Sequence, residues 1–357
     1  MPAVTPAFRG RVVLAALWAA LATLPATGQE LAGSGAAPAP LRQGPPGWWA
    51  SAAVGLGPLM QSSQSPASIF RLSHPVGMPA VLSAGQWEVI TQTDWANYFC
   101  EGGDKYFLDF ESFRWRFGLA YGLDGRTQLG VSTSASYQGG GVLDGFVEGF
   151  ERWVGAINED RRRAPRDRYL LRLRGEDGVV REFGGRDSGW HVECFSLGLL
   201  RQLLPGTSTT PSLTASLVVK TPIAREVWGR PENGVDVGLG LHAAQRLGRF
   251  HFYSSLGAVH FGSSRSLGVR LVEYQLSFIH SVEYRATPAT SLVAQVLLSG
   301  PVAYHFGEFS DRSREVALGL KHMFSRHFLL EVSVVENILA FSNSADVAFH
   351  TTLAWRP

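Results

Sequence analysis

The chain has 357 residues, a formal net charge of +2, 45% hydrophobic residues and 17% charged residues. Soluble globular chains carry about 25% charged residues, so the low figure points away from that class; the near-neutral charge excludes a dominant electrostatic partner such as nucleic acid. Forty glycines and ten tryptophans beside four methionines suit tilted strands, tight turns and interfacial aromatics better than a helical enzyme.

In chain order, Arg9 and Arg11 precede an apolar run over 12–24, which Pro25 ends before the small residues Ala26-Thr27-Gly28. A basic flank, a short apolar core and a small-residue exit predict a cleaved signal peptide over 1–28. Its core is short for a membrane helix, and no later stretch approaches the roughly twenty apolar residues one needs. A membrane position therefore requires a closed barrel, the other fold that satisfies every backbone group in lipid. Residues 29–84 are rich in Ala, Gly and Pro, and Pro66, Pro75 and Pro79 forbid regular ladders there. They predict an irregular periplasmic lead-in to a barrel over 85–357.

Strand character begins at 86–96 and continues at 107–121, where Phe113, Trp115, Phe117, Leu119 and Tyr121 alternate with Arg114, Arg116, Gly118 and Ala120. Gly122 to Gly125 reverses the chain into a third strand with Leu129, Val131 and Thr133 on one face and Gly130, Ser132 and Ser134 on the other. Period two with one greasy face and one small or polar face is the pattern of a strand between lipid and lumen. It returns at 190–203, 212–221, 234–247, 249–261, 271–286, 290–299, 314–324, 327–337 and 346–355. About twelve antiparallel strands result, an even number as in bacterial outer-membrane barrels. Short links alternate with long polar ones, which predicts short periplasmic turns and longer extracellular loops.

The third strand leads into a long surface insert over 137–189. Leu143, Phe146, Val147, Phe150, Trp153, Val154 and Ile157 recur at three- and four-residue spacing, an amphipathic helix whose apolar face needs the barrel mouth, the outer leaflet or a partner. Arg161, Arg162, Arg163 and Arg166 follow; they either meet lipopolysaccharide phosphates or form a solvated stretch that ends the helix. Segments 169–174 and 179–183 flank Gly175-Glu176-Asp177-Gly178 as a β-hairpin.

Catalytic motifs are absent from the sequence: no G-x-S-x-G elbow, no H-E-x-x-H zinc site and no phosphate loop. The ten histidines show no metal-ligand spacing, so no cofactor or metal is expected. A lipid-modifying enzyme would draw on His260 and His280 with Ser263 or Ser264 near one rim. The polar strand faces place Arg114, Arg116, Lys220, Asp236, Glu273, Gln295, Glu315, Lys321 and Glu331 toward the lumen, where they either pair and fill it or line a solute path. Cys100 and Cys194 fall near the same barrel end in an oxidising compartment; a disulfide or two free thiols both fit that placement.

Three segments carry a resemblance: Pro58-Leu59-Met60-Gln61-Ser62-Ser63-Gln64-Ser65-Pro66, Asp94-Trp95-Ala96-Asn97, and Gly141-Val142-Leu143-Asp144-Gly145-Phe146-Val147-Glu148-Gly149-Phe150. They resemble an uncharacterised family of exported proteobacterial proteins, domain of unknown function 3187. The resemblance covers about 58–355 and implies an outer-membrane-like protein, but carries no activity or site residue. The sequence thus predicts an all-β transmembrane barrel in the outer membrane with one extracellular helix. Its partners there are lipid, lipopolysaccharide and, during insertion, the barrel-assembly machinery. A channel or transport role for an unspecified small solute is preferred over an enzyme; the alternatives are a lipase or acyltransferase, and a structural or adhesive surface barrel.

Overall fold

The computed structural model describes residues 54–68, 71–74, 77–154, 159–207, 209–223, 234–337 and 343–357. The signal-peptide expectation lies outside the described residues, as does the lead-in before residue 54. Strands β1 (Trp87–Glu101), β2 (Tyr106–Gly122) and β3 (Thr127–Gly139) form a meander. An insert follows, with helices α1 (Asp144–Val154) and α2 (Glu159–Arg163) and the hairpin β4 (Leu170–Arg174)–β5 (Val180–Phe183). The meander resumes with β6 (Gly189–Leu204), β7 (Ser212–Pro222), β8 (Asp236–Leu247) and β9 (Phe250–His260). A small hairpin, β10 (Arg265–Ser266) and β11 (Val269–Arg270), precedes β12 (Tyr274–Arg285) and β13 (Thr290–Ser299). The last strands are β14 (Ser313–Met323), β15 (Phe328–Glu336) and β16 (Val347–Trp355).

Among the described residues, twelve strands pair antiparallel with their neighbours in the chain, in the order β1-β2-β3-β6-β7-β8-β9-β12-β13-β14-β15-β16. The ring closes where β1 pairs β16, Val89 opposite Trp355 and Asn97 opposite Val347. Closure leaves no open sheet edge around the ring, the condition for a sheet in lipid.

Alternation sorts the side chains as the sequence predicts. Leu239, Leu256 and Leu276 point outward with more than half of their surface bare, whereas Ser281, Glu283 and Glu315 on the inner face are fully buried. Paired aromatics ring both ends of the apolar belt. At the short-turn end Trp87 meets Tyr121 with ring centroids 4.5 Å apart, and Phe250 meets Tyr284 at 5.2 Å. At the other end Tyr137 meets Trp190 at 5.9 Å and His260 meets Tyr274 at 4.8 Å. Leu129, opposite Tyr121, lies eight positions before Tyr137 on β3, about 27 Å along a strand. Strand tilt brings this close to the apolar band of roughly 25 Å in outer-membrane barrels. The tightest turn, Gly248-Arg249, needs its glycine: φ is 62° at the first position of a two-residue hairpin loop.

The end with long connections is capped. β1 and β2 run on past the ring, and β2 adds β4 by pairing Tyr106 with Leu173. Tyr98, Tyr106, Leu108, Phe110, Leu171 and Phe309 build an apolar core there, with Tyr98 stacked on Phe110 at 4.6 Å. The first helix of the insert is described as far as Val154, the expected Ile157 lying outside the described residues, and its burial is divided. Leu143 and Val147 are buried, while Phe146 is half exposed beside the outward-facing Phe349, at 5.3 Å.

The segment expected as a periplasmic lead-in is the main correction. Its described part, 54–68, 71–74 and 77–84, is largely buried and bonds to inward-facing side chains all around the ring. It occupies the lumen. The irregular backbone read from Pro66 and Pro79 is present, but its hydrogen-bond partners are strand side chains up to 271 residues away, which no local pattern reveals.

Candidate functional site: the lumen

Irregular backbone at membrane depth is tolerated only where protein or water satisfies it. Here the inward side chains do so. Glu283 accepts from Leu56 N at 2.9 Å and Gly57 N at 3.2 Å, and also from the hydroxyls of Tyr253 and Ser291. Gln295 accepts from Leu59 N at 3.0 Å, Glu331 from Met60 N at 2.8 Å, Glu315 from Gln64 N at 2.9 Å and Asp236 from Leu72 N at 2.8 Å. Lys321 donates to the carbonyls of Leu56 at 3.2 Å and Pro58 at 2.6 Å, and pairs with Glu331 at 2.8 Å. His350 bridges Glu331 at 3.2 Å and Asp94 at 2.7 Å, which ties this network to β1.

The opposite wall is different. On β2, β3, β6 and β7, beside the larger Leu200, Val218, Arg114, Arg116 and Lys220, many inward positions are small: Gly118, Ala120, Gly130, Ser132, Ser134, Ser196, Gly198 and Ser216. They leave a cavity of about 280 Å³ between the wall and the lumenal segment. Its lining runs from Arg114 to Ala120 on β2, from Gln128 to Ser134 on β3 and from Cys194 to Leu200 on β6. Six residue steps are about 20 Å along a strand, so the cavity is a groove down the barrel wall rather than a closed bubble. Arg116 crosses its floor, donating to Gln92 at 2.9 Å and Ser62 at 3.4 Å; Arg114 pairs with Glu193 at 3.0 Å.

The model of the family described as "Protein of unknown function (DUF3187)" matches residues 47–356. The chain belongs to this family. No curated protein matches it. Among solved structures, the COG4313 outer membrane channel from Pseudomonas putida F1 is similar at TM-score 0.51 and 12% identity, over 79% of this chain and 99% of that one. The NanC porin (TM-score 0.43, 6% identity, 75% and 98% covered) and the Ralstonia pickettii toluene transporter TbuX (TM-score 0.37, 12% identity, 85% and 98% covered) are more remote and carry no argument. The first likeness shows the fold, an outer-membrane β-barrel.

Two of the three segments that carry the DUF3187 resemblance meet in space. Asn97 donates to Asp144 at 2.9 Å, and Trp95 donates to Glu111 at 2.9 Å. Glu111 accepts from Leu143 N and packs where a Cβ on Gly141 would collide with its carboxylate. The polar run Gln61 to Ser65 is buried against the barrel, with Ser63 Oγ donating to Glu315 at 3.0 Å and Ser62 Oγ accepting from Arg114 at 3.3 Å.

Of the lumenal candidates, Arg114, Arg116, Lys220, Asp236, Gln295, Glu315, Lys321 and Glu331 face inward. All eight bond to the lumenal segment, and the first three also line the groove. Glu273 does not line the lumen: it lies ahead of β12 and is exposed. Alternation could have found Glu283, Asp94 and His350. Arg71, which stacks 3.5 Å over Phe261 and donates to three carbonyls, sits where no period exists.

Arg161 is not a lipopolysaccharide contact. It is buried, paired with Asp144 at 2.8 Å and with Asp346, and bonded to Asn97. Burial opposes the charge on Asp144, yet hydrogen bonds from Asp167 N–H and Arg161 hold its carboxyl below the usual range. Burial wins at Asp346 and pushes its carboxyl up against the pull of Arg161. Arg162 and Arg163 are exposed, and Arg166 pairs with Glu148.

Cys100 and Cys194 are free thiols, not a disulfide. β2 and β3 stand between their strands. Three strand spacings are about 14 Å, twice the roughly 7 Å that a bridge can span. The residues proposed for acyl chemistry are also not gathered. His280 Nδ1 bonds Ser254 at 3.0 Å on the outward face. Ser263 bonds Arg265 O at 3.1 Å beyond the end of β9, with His260 at that end packed on Tyr274.

Proposed function

We propose that this protein is an outer-membrane channel for a small polar solute, in which the described residues of 54–84 fill one side of the lumen and the groove along β2, β3, β6 and β7 is the passage. The groove carries this reading. It runs most of the depth of the apolar belt, and its small inward residues preserve space that the opposite wall gives to the lumenal segment. The fold shared with an outer membrane channel agrees with it as an analogy of architecture. On the same reading the exposed Arg162 and Arg163 lie on the outer side, toward lipopolysaccharide, and lipid surrounds the apolar belt.

Narrowing the groove tests this. A Cβ at Gly198 would meet nothing closer than 4.0 Å, so Gly198→Met fits without disturbing the ladder and projects into the groove. Purified full-length protein in a planar bilayer should conduct, and Gly198→Met should reduce the single-channel conductance at least twofold. Equal conductance in the two proteins would show that solute does not pass there.

A further inference from the structure

Building on the channel reading, we propose that the groove selects small organic anions, bearing carboxylate or phosphate oxygens, over cations and neutral solutes of the same size. Charged side chains line it unevenly: Arg71, Arg114, Arg116, Lys220 and Arg356 against Glu88. Two of these cations already have carboxylates, Arg356 with Glu88 at 2.7 Å and Arg114 with Glu193 at 3.0 Å. Asp236 stands opposite Lys220 in the β7–β8 register and offsets part of its charge and of that of Arg71, and Asp94 offsets part of that of Arg116; the Asp236 oxygens accept from Leu72 N and Gly262 N. The hydrogen bonds of the remaining cations go to neutral oxygens: Arg116 to Gln92 and Ser62, Lys220 to the carbonyl of Arg71 at 2.6 Å, and Arg71 to carbonyls of Ser263, Val272 and Val302. A passage with such an excess of cations favours entry of negative charge, and low-dielectric walls strengthen the bias.

The placement suits an oxygen-rich anion. Arg116 lies opposite Ser134 on β3, and Ser134 lies opposite Cys194 on β6. Lys220 lies opposite Ser196, which in turn lies opposite Ser132. Arg116 and Lys220 thus face the groove from strands three spacings apart, roughly 14 Å between backbones, with the inward serines of β3 and β6 between them. A guanidinium offers a planar fork to carboxylate or phosphate oxygens, and an ammonium a point charge at the far side. The volume, about 280 Å³, is that of roughly nine water molecules at 30 Å³ each. It therefore suits a compact hydroxy acid or a small phosphate ester rather than a long polymer held entire.

The test is the reversal potential of the full-length protein in a bilayer under a tenfold KCl gradient, followed by titration of gluconate or inorganic phosphate into symmetric chloride. We expect several-fold selectivity for chloride over potassium and reversible block by at least one of the two anions; which one blocks assigns the carboxylate or the phosphate class. In the Arg116→Gln/Lys220→Gln double variant, selectivity should fall toward unity and block should weaken at least tenfold, with conductance still present. Current without anion preference, or selectivity unchanged in the double variant, would overturn the anion assignment and leave the channel intact. Absence of current from protein whose unheated form migrates as a folded barrel on a denaturing gel would instead overturn the channel reading, and the anion assignment with it.

Discussion

Glu283 shows how single side chains hold the lumenal segment. One carboxylate satisfies two backbone N–H groups, of Leu56 and Gly57, and two hydroxyls, of Tyr253 and Ser291. Each buried N–H left without an acceptor costs about 1–3 kcal/mol. Glu283→Ala should therefore loosen the segment around Leu56 by roughly 2–6 kcal/mol, read as faster hydrogen exchange at Leu56 and Gly57 while amides of the β12–β13 ladder keep their protection. Unchanged exchange at those two amides would mean that other groups hold the segment. Close approach is specified from both sides: an added Cβ at Gly55 would strike the Glu283 carboxylate at 2.2 Å, and one at Gly257 would strike His74 at 2.3 Å. Period-two alternation sends Glu283 inward in the sequence, but what it bonds is invisible there, because its partners are backbone amides more than two hundred residues away.

At the scale of elements, the strands, the first helix of the insert and its hairpin follow from local pattern, and the seat of that helix does not. Every predicted strand forms within a few residues of its expected bounds, because a strand between lipid and lumen must alternate along its own length. Helix α1 also announces itself by spacing, yet its seat depends on one cation from α2 reaching carboxylates on either side, Asp144 and Asp346. Their titration sets an acid limit. Asp144, held below the usual range, contributes stability that is complete above the unfolded carboxylate pKa of about 3.9 and is lost as pH falls through its lower folded value. Asp346, raised by burial, takes up its proton more readily in the folded state, so mild acid does not cost the folded form at that site. Hydrogen exchange in 144–154, corrected for intrinsic rates, should therefore not accelerate between about pH 7 and 5, and should accelerate only below about pH 4. Loosening already near pH 6 would contradict the assignment.

For the whole molecule, ring closure and lumen filling are separable. The twelve ladders close through β1 and β16 without any strand pairing from the described part of the lumenal segment, which is held by side-chain hydrogen bonds and by apolar packing, Leu56 against Leu329 and Ala354 and Leu72 against Val259 and Phe261. Deleting 54–84 should leave a barrel that still shifts on heating in a denaturing gel, since the freed Glu283, Glu315, Lys321 and Glu331 would meet water rather than remain stranded. Its conductance should rise several-fold; loss of the heat-dependent shift would show instead that the segment is part of the folding core. The strand count, the lipid-facing and lumenal faces and the alternation of turns and loops are all legible in the residues alone, because each rests on interactions within one strand or one hairpin. Packing across the ring sets the rest: that the described residues of 54–84 lie inside the barrel, that small residues line much of one wall while the other holds that segment, that the cysteines stay apart and that Arg161 is a buried clasp. Those outcomes depend on which side chains meet across the ring, and the distances that settle them exist only once the ring has closed.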